Sequence, residues 1–522
     1  MAAISQELSL PSEWRKDGDG SLSRRLKGFE VVINMIEFHQ SGNCELIITG
    51  DLESSMTPDE LEHSIYPAWV KTRQQHPMVG VRLPSDDLSN AVFAPFETAL
   101  DAQEWCEQTI VIAKDDLTMR EVADRCKATP LDRNTGRLPQ IHLVSRPFSG
   151  TQGIVLHSSH VLSGHFVMTI LEEIARQLVQ DDCTGGVQGV FRKEVPEDLI
   201  ERLPISAVYA YEQASHIPTP TQQDISSLAA RQAQNAQVAM ERVSVGPSVR
   251  DDWHGQNSRM QSYFKDFPQS TLASLKAAMR QDRVTMTAAY WACIILASLD
   301  FSTAEQLQKA NGVECLFSTH TRRWFQSPNT APITMGVIPS SFWLDKGELE
   351  GQAKDRKMLT RVAQRVMTAQ EAAIESVHIL KQIDTSTRAL YETTTQNGTR
   401  PMPSPQPDIS KPTLTSQGII ELPEWYGTDI ASGEESNKSR WLRYTDYRYG
   451  GRHTDPSICF ALLVFRGKLR VQALYDEKYF EKERAEAYIS RTVELLTLWL
   501  SHEEVGTEQS DAVSGFVART KL

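Results

Sequence analysis

The sequence has no paired cysteine motif, no long apolar run and no signal-peptide-like N-terminus. Its seven cysteines are scattered over 522 residues, and no two have the C-x-x-C spacing of a zinc site or a redox pair. An odd, dispersed set is typical of a reducing compartment. Because no run approaches the roughly 18 apolar residues of a membrane span and the N-terminus lacks an apolar core segment, we expect no membrane span and a cytoplasmic protein.

An excess of positive charge is also missing. The chain has 54 Lys and Arg against 67 Asp and Glu, a net charge of −13. Nucleic-acid-binding proteins carry a basic stripe or patch, so we expect no nucleic-acid partner. The G-x-S-x-G elbow of a serine nucleophile is absent as well. With 40% hydrophobic residues, the composition is that of a globular protein with a large core.

The most informative stretch spans residues 153–165. Residues 154–156 form an apolar run that predicts a buried strand, and the run stops at His157 and His160. Directly afterwards, residues 166–178 place apolar side chains at helical spacing. A strand end that faces a helix N-terminus is where α/β proteins place chemistry, so this strand–turn–helix is the candidate site.

Changes in composition divide the chain into five parts. Residues 1–28 form a polar lead-in, and residues 29–186 mix strand and helix patterns as a first lobe. Residues 187–257 are polar and rich in Ala and Gln. We interpret them as a segment that connects two lobes, with a mobile lid as the alternative. Residues 258–500 form a second lobe, and residues 501–522 are a tail.

Several stretches predict particular elements. Residues 31–38 and 44–50 predict two strands joined by a turn. Residues 284–298 predict a helix that is apolar on all sides and therefore has to be buried. Residues 465–468, with the sequence F-R-G-K, predict a hairpin turn.

Four features of the sequence occur in an order that resembles a known family. They are the H-x-x-x-D-like turn near residue 160, the T-x-T-A-A helix near 285–292, the Arg-bearing strand end near 320, and the F-R-G-K-L-R hairpin followed by a helix. Together they resemble the CoA-dependent acyltransferase superfamily of chloramphenicol acetyltransferase-like enzymes, plant BAHD acyltransferases and non-ribosomal condensation domains. The strongest resemblance is to fungal alcohol acyltransferases of secondary metabolism, of the trichothecene 15-O-acetyltransferase type, over roughly residues 30–500.

The resemblance implies an α/β (α+β) fold of two similar lobes, each a mixed sheet flanked by helices, with a tunnel between them. Acetyl-CoA or another acyl-CoA would enter the tunnel as co-substrate from one side, and a small-molecule alcohol from the other. No metal and no bound prosthetic group is expected. We expect a monomer.

The resemblance also places the catalytic histidine at His160. The aspartate that follows four residues later in the family is replaced by Gly164, and His165 stands where the family has glycine. In the family this aspartate mainly anchors the turn, so its loss affects geometry more than the base itself. The alternative for His160 is a core histidine with both nitrogens satisfied. His157 points to the opposite side if the strand continues through it, and we expect it to be structural.

A second stretch resembles the family's structural D-F-G-W-G motif. Asp446, Tyr447, Tyr449 and Gly450 keep its acid, both aromatics and the last glycine, and Arg448 replaces the middle glycine.

Five positions are candidate supporting residues. The resemblance suggests that Ser416 donates to an oxyanion, and that Gly164 and His165 support the site. Arg322 and Arg323 are candidates for the phosphates of the cofactor, with a solvated pair as the alternative.

The sequence therefore predicts an acyl-CoA-dependent O-acyltransferase that transfers an acetyl group to a hydroxyl of a hydrophobic secondary metabolite such as a terpenoid or polyketide. His160 would act as general base for direct attack on the thioester. One alternative is a degenerate member of the fold that binds a biosynthetic intermediate and promotes cyclisation or another step without acyl transfer. A second alternative is a non-catalytic binding protein.

Overall fold

The computed structural model describes most of the chain between residues 13 and 500. The described residues are 13–113, 117–133, 138–147, 150–163, 166–325, 334–349, 354–374, 377–397, 409–427 and 440–500, except 215–216, 220, 225, 228–229, 231–236 and 238–240. The expected tail at 501–522, together with Gly164 and His165, lies outside the described residues.

The strands are labelled in chain order: β1 Arg15–Lys16, β2 Leu22–Arg25, β3 Leu46–Ser54, β4 Val81–Arg82, β5 Asn90–Phe93, β6 Ile110–Ile112, β7 Gln140–Val144, β8 Gln152–Ser158, β9 Met260–Phe267, β10 Gly312–His320, β11 Val337–Asp345, β12 Thr413–Ile420, β13 Tyr426–Gly427, β14 Trp441–Arg448, β15 Cys459–Phe465 and β16 Lys468–Asp476. The helices are α1 Phe29–His39, α2 Pro58–Gln75, α3 Ala99–Thr109, α4 Met119–Ala128, α5 His160–Ser163, α6 Val167–Leu178, α7 Gly186–Val190, α8 Pro196–Ile200, α9 Ala207–Gln213, α10 Gln269–Gln281, α11 Met286–Phe301, α12 Ala304–Lys309, α13 Lys346–Leu349, α14 Arg356–Ala373, α15 Ile379–Asn397 and α16 Lys482–Thr497.

Two six-stranded mixed sheets form the framework, as the resemblance predicts. The first sheet has the order β13-β14-β3-β8-β7-β6, and the second has the order β11-β10-β12-β15-β16-β9. A smaller sheet has the order β1-β2-β5-β4. The strand that leads to His160, β8, lies inside the first sheet and pairs antiparallel with both β3 and β7. The predicted α/β fold class is confirmed.

The core of the second lobe is built around α11. Residues 288–298 of this helix are all buried, as the sequence predicts for a helix that is apolar on every side. Among the described residues, no single helix is long and apolar enough to cross a bilayer. Only when taken together do α10 and α11 have the length and apolar composition of a membrane span. The chain bends by 90° at the break between these two helices.

Two strands from the second-lobe range belong to the sheet of the first lobe. The second-lobe range 258–500 contains β13 and β14, but β14 pairs with β3 and so belongs to the first sheet. The segment after β14 continues this pairing, because the amide of Ile47 donates to the carbonyl of Gly450 at 2.9 Å. The two lobes are therefore joined by hydrogen bonds between residues about 400 positions apart in sequence.

The predicted strand at 31–38 is wrong, because this stretch belongs to helix α1. Three polar side chains, Glu30, Asn34 and Glu37, are buried at 3%, 0% and 2% relative exposure. Their spacing of four and three residues places them on one face of a helix. The buried face of α1 is thus partly polar, which conceals the helical period when only apolar residues are counted.

The lead-in expected at 1–28 is part of the folded unit from residue 13 onward. Trp14 is buried, and its indole N–H donates to the carbonyl of Pro204 at 2.8 Å. The carboxylate of Glu13 accepts the main-chain N–H of Ser206 at 2.9 Å. These contacts also tie the described part of the connecting segment to the start of the chain.

Candidate active site

His160 lies where the first sheet meets a short helix. Strand β8 ends at Ser158, and α5 begins at His160. The turn is held by the carboxylate of Glu37 on α1. Oε1 of Glu37 accepts the main-chain N–H of His160 at 2.7 Å, and Oε2 accepts the hydroxyl of Ser159 at 2.6 Å. The glutamate therefore fixes the main chain of the turn and leaves the imidazole ring of His160 unengaged by it.

Glu37 is itself held by a buried cation. The guanidinium of Arg133 contacts the carboxylate of Glu37 and the side-chain oxygen of Asn34. Burial raises the pKa of Glu37 to about 7, and Arg133 opposes that effect. A helix from elsewhere in the first lobe thus supplies an acid with a buried arginine partner to the turn that carries His160.

The ring of His160 is neutral near pH 7. Burial lowers its pKa, contact with the residue's own main chain partly opposes this effect, and the nearby His453 lowers the pKa further. A neutral imidazole has a lone pair that accepts a proton. The environment therefore keeps His160 in the form that a general base requires.

His453 is a second imidazole beside His160, contributed by the segment between β14 and β15. Burial alone would lower its pKa, but Cys459 and Asp455 outweigh burial and raise the pKa of His453 to about 9. The surroundings therefore shift the pKa values of the two imidazoles in opposite directions. The sequence reasoning missed His453, although it follows the Asp446 motif by only a few residues.

The Asp446 motif lies in and directly after β14. The carboxylate of Asp446 forms ion pairs with Arg470 at 3.0 Å and with Arg448 at 2.8 Å. Tyr447 is buried, and its hydroxyl donates to Gln417 at 3.4 Å. A Cβ at Gly450 would approach the carbonyl oxygen of Ile47 to 2.6 Å. The contacts of Asp446 with Arg470 and of Tyr447 with Gln417 join the first sheet to the second, whereas the other two lie within the first sheet and the segment that follows β14.

Tyr449 and Gly450 also line a cavity of about 250 Å³ between the lobes. Its walls include Arg120 of α4, Phe264 of β9 and Arg448 of β14. Both lobes therefore contribute to this space, whereas His160 is not among the residues that line it.

The remaining predicted residues lie in the second lobe. Ser416 on β12 is exposed, and its hydroxyl is 3.0 Å from that of Thr287. On the same strand Thr413 pairs with Cys459, a neighbour of His453. Ser416 lies three residues after Thr413, so it is about 10 Å along the strand from the position that pairs with Cys459. Arg322 and Arg323 lie in a 3₁₀ turn directly after β10.

The fold is that of a known class of proteins. It superposes on the trichothecene 15-O-acetyltransferase TRI3 from Fusarium sporotrichioides with a TM-score of 0.73 at 15% identity, covering 94% of this chain and 98% of that one. It also matches the epimerization domain from the third module of tyrocidine synthetase B, with a TM-score of 0.54 at 10% identity over 93% and 98% of the two chains. The predicted resemblance to the CoA-acyltransferase and condensation-domain superfamily is confirmed.

Two curated proteins of Pseudozyma antarctica are similar over nearly the whole chain. The acyl-CoA-dependent acyltransferase MAC2 is 24% identical over 514 residues, which cover 90% of this chain and 93% of MAC2. The acyl-CoA-dependent acyltransferase MAC1 is 19% identical over 93% of this chain and 95% of its own. No family model matches the sequence. These similarities support acyltransferase activity as the general class.

Proposed function

We propose that this protein is an acyl-CoA-dependent O-acyltransferase in which His160 is the general base. The observation that carries the proposal is the neutral imidazole of His160 at the end of β8, on a turn held by Glu37. The proposal is supported by the similarity to acyl-CoA-dependent acyltransferases over about nine-tenths of the chain.

The reaction needs one base and no covalent enzyme intermediate. His160 takes the proton of the acceptor hydroxyl while that oxygen attacks the carbonyl carbon of the acyl-CoA thioester. The tetrahedral intermediate then collapses, the carbon–sulfur bond breaks, and the thiolate of CoA leaves. The imidazolium of His160 returns the proton to that thiolate, so the products are the ester and free CoA.

Glu37 takes the anchoring role that the family assigns to the aspartate replaced here by Gly164. The carboxylate binds the main chain of the turn rather than the ring, so the ring stays available to the acceptor. The hypothesis of a degenerate protein without acyl transfer rested on the missing aspartate, and an alternative anchor weakens that hypothesis.

A protonated His453 would place a positive charge near the base. Negative charge develops first on the thioester oxygen and then on the leaving sulfur, and a fixed cation nearby stabilises both. We therefore assign His453 as the candidate group for this charge, in addition to the predicted hydroxyl of Ser416. The phosphates of CoA remain assigned to Arg322 and Arg323.

The proposed acceptor is a hydroxyl of a hydrophobic secondary metabolite, and the proposed acyl group is acetyl. TRI3 is by its name an acetyltransferase for the 15-hydroxyl of a trichothecene, which supports an alcohol of terpenoid type. Acyl-CoA as co-substrate is supported by MAC2 and MAC1.

The test is release of free CoA thiol from acetyl-CoA, measured with and without a panel of terpenoid and polyketide alcohols. We expect acceptor-dependent thiol release with formation of the acetyl ester, detected by mass spectrometry. His160→Ala should lower kcat by about 10²- to 10⁴-fold, the usual contribution of a positioned base. His63→Ala on the exposed side of α2 is the matched control and should retain the activity.

Full activity of His160→Ala would overturn the role of His160. If acetyl-CoA and longer acyl-CoA thioesters give no thiol release and no binding in calorimetry, acyl transfer itself is wrong.

A further inference from the structure

Three side chains on the side of β8 that α4 covers have the composition of a metal site. Sγ of Cys126 and one ring nitrogen each of His142 and His157 lie within 4.8 Å of one another. The three residues come from α4, β7 and β8. His157 pairs with Gln140, and His142 is two residues along from Gln140, so both histidines lie on the same side of the sheet, diagonal to each other. Helix α4 covers that side and brings Cys126 to them.

The separation of these atoms fits a small tetrahedral ion. Zinc bond lengths of about 2.3 Å to sulfur and 2.0–2.1 Å to nitrogen imply separations of roughly 3.3–3.6 Å between ligand atoms. The observed upper limit of 4.8 Å therefore requires a closing movement of about 1 Å, which side-chain rotation supplies.

One nitrogen of the group has no hydrogen-bond partner. Nε2 of His142 is buried and makes no hydrogen bond with the described residues. Leaving such an atom unsatisfied costs about 1–3 kcal/mol, and an unsatisfied buried atom in a native protein often marks an ion or a water. This observation points to a ligand independently of the clustering.

A neutral imidazole has a lone pair that can bind a metal ion, and a cysteine binds one as its thiolate. A bound cation would displace the thiol proton of Cys126.

The surroundings also match a metal centre. Nε2 of His157 lies 2.9 Å from Oε2 of Glu45, and carboxylates in this position orient metal-binding histidines. The carboxylate of Glu45 is in turn held by the main-chain N–H of Leu131. A cavity of about 340 Å³ reaches all three ligands and is lined by apolar side chains such as Leu117 and Val122 as well as by the polar side chains of Arg125 and Gln140. The cavity provides an entry path and room for a water as fourth ligand.

We propose that Cys126, His142 and His157 bind one Zn²⁺, with a water or small anion in the fourth position. Two neutral imidazoles and one thiolate are a ligand set that selects zinc over calcium or magnesium. On binding, the sulfur–hydrogen bond of Cys126 breaks, a zinc–sulfur bond forms, and one proton leaves to solvent. The ion would clamp α4 to the sheet strand that leads to His160.

The test uses the full chain, stripped with a chelator and titrated with Co²⁺ and Zn²⁺ alone. We expect one equivalent of Co²⁺ to give the visible absorption of a tetrahedral centre together with a thiolate-to-cobalt charge-transfer band. Zn²⁺ should abolish both bands by displacement and should raise the temperature of thermal unfolding. Calorimetry in two buffers of different ionisation enthalpy should report the released proton.

Variants locate the site. Cys126→Ser should lose the charge-transfer band, and His142→Ala should lose tight Zn²⁺ binding. Glu45→Gln should bind Zn²⁺ roughly 10- to 100-fold more weakly, as expected for a partner of a ligand. Cys106→Ser is the matched control, because Cys106 is equally buried in a different part of the first lobe, and it should bind as the unaltered chain does.

Two results would overturn the proposal. The first is the absence of stoichiometric Co²⁺ or Zn²⁺ binding by the unaltered chain, which needs no variant to fold. The second is an unchanged charge-transfer band in Cys126→Ser.

Discussion

His157 and His160 are three residues apart, and each has a buried glutamate beside it. Glu45 contacts the ring of His157 at 2.9 Å, whereas Glu37 accepts the main-chain N–H of His160 at 2.7 Å. A carboxylate on the ring fixes its orientation and occupies a nitrogen. A carboxylate on the main chain holds the turn and leaves the ring free. The same pair of residue types thus produces a structural histidine in one case and a candidate base in the other.

The two glutamates also differ in their cations. Arg133 contacts the carboxylate of Glu37 directly, whereas Nε of Arg452 lies 3.6 Å from Glu45. The stronger pairing at Glu37 coincides with the turn that carries His160. We therefore expect the largest effect of any single change in this region at Glu37.

Glu37→Ala should lower the free energy of unfolding by about 3–5 kcal/mol, because it leaves the charge of Arg133 buried without its partner. Urea denaturation measures this change. The double variant Glu37→Met/Arg133→Met should recover part of the stability, since removal of both charges avoids the uncompensated cation. If Glu37→Ala is as stable as the unaltered chain, Glu37 does not anchor the turn.

The two histidines should separate stability from activity. His157→Ala should cost about 1–3 kcal/mol of stability, because the buried carboxylate of Glu45 loses a partner. His160→Ala should cost less stability, since Glu37 binds its main chain, and should lose acyl transfer. Thermal unfolding of chelator-treated protein, with the thiol-release assay in parallel, tests both. Equal losses of stability in the two variants would contradict the distinction.

The smallest expected effect is on pH dependence. If His160 is the base, its neutral form is the active one, and burial lowers its pKa. The acid side of the kcat/KM profile should therefore lie below pH 6.5, the ordinary value for histidine. His453 contributes to this lowering, so His453→Gln should move the acid side upward. A downward movement would show that His453 does not act as a cation near the base.

Much of the framework could be predicted from local patterns. The strand before His160, the helix after it and the all-apolar helix α11 follow from apolar spacing, and the structure confirms them. Helix α2 begins after Thr57, whose hydroxyl accepts the N–H of Glu60 at 3.3 Å, a capping signal of the same local kind. Each of these signals acts between residues that are neighbours in sequence.

The anchor of the turn could not be predicted in the same way. Residues 31–38 were expected to form a strand, in which Asn34 and Glu37 would point to opposite sides. In helix α1 the same two residues share one face, and Arg133 contacts both. Whether the segment is a helix or a strand therefore decided which side chains meet. The buried face of α1 is partly polar, so the spacing of apolar residues alone did not indicate a helix.

The sequence by itself determined the burial of α11 and the position of His160 at a strand-to-helix turn, because short-range propensity and hydrophobic spacing specify such features. Only the tertiary structure decided that Glu37 holds this turn, that β14 completes the first sheet, that His453 lies beside His160, and that Cys126, His142 and His157 meet. Those contacts join residues that lie far apart along the chain. Their proximity depends on the pairing and packing of whole elements, which no local spacing encodes.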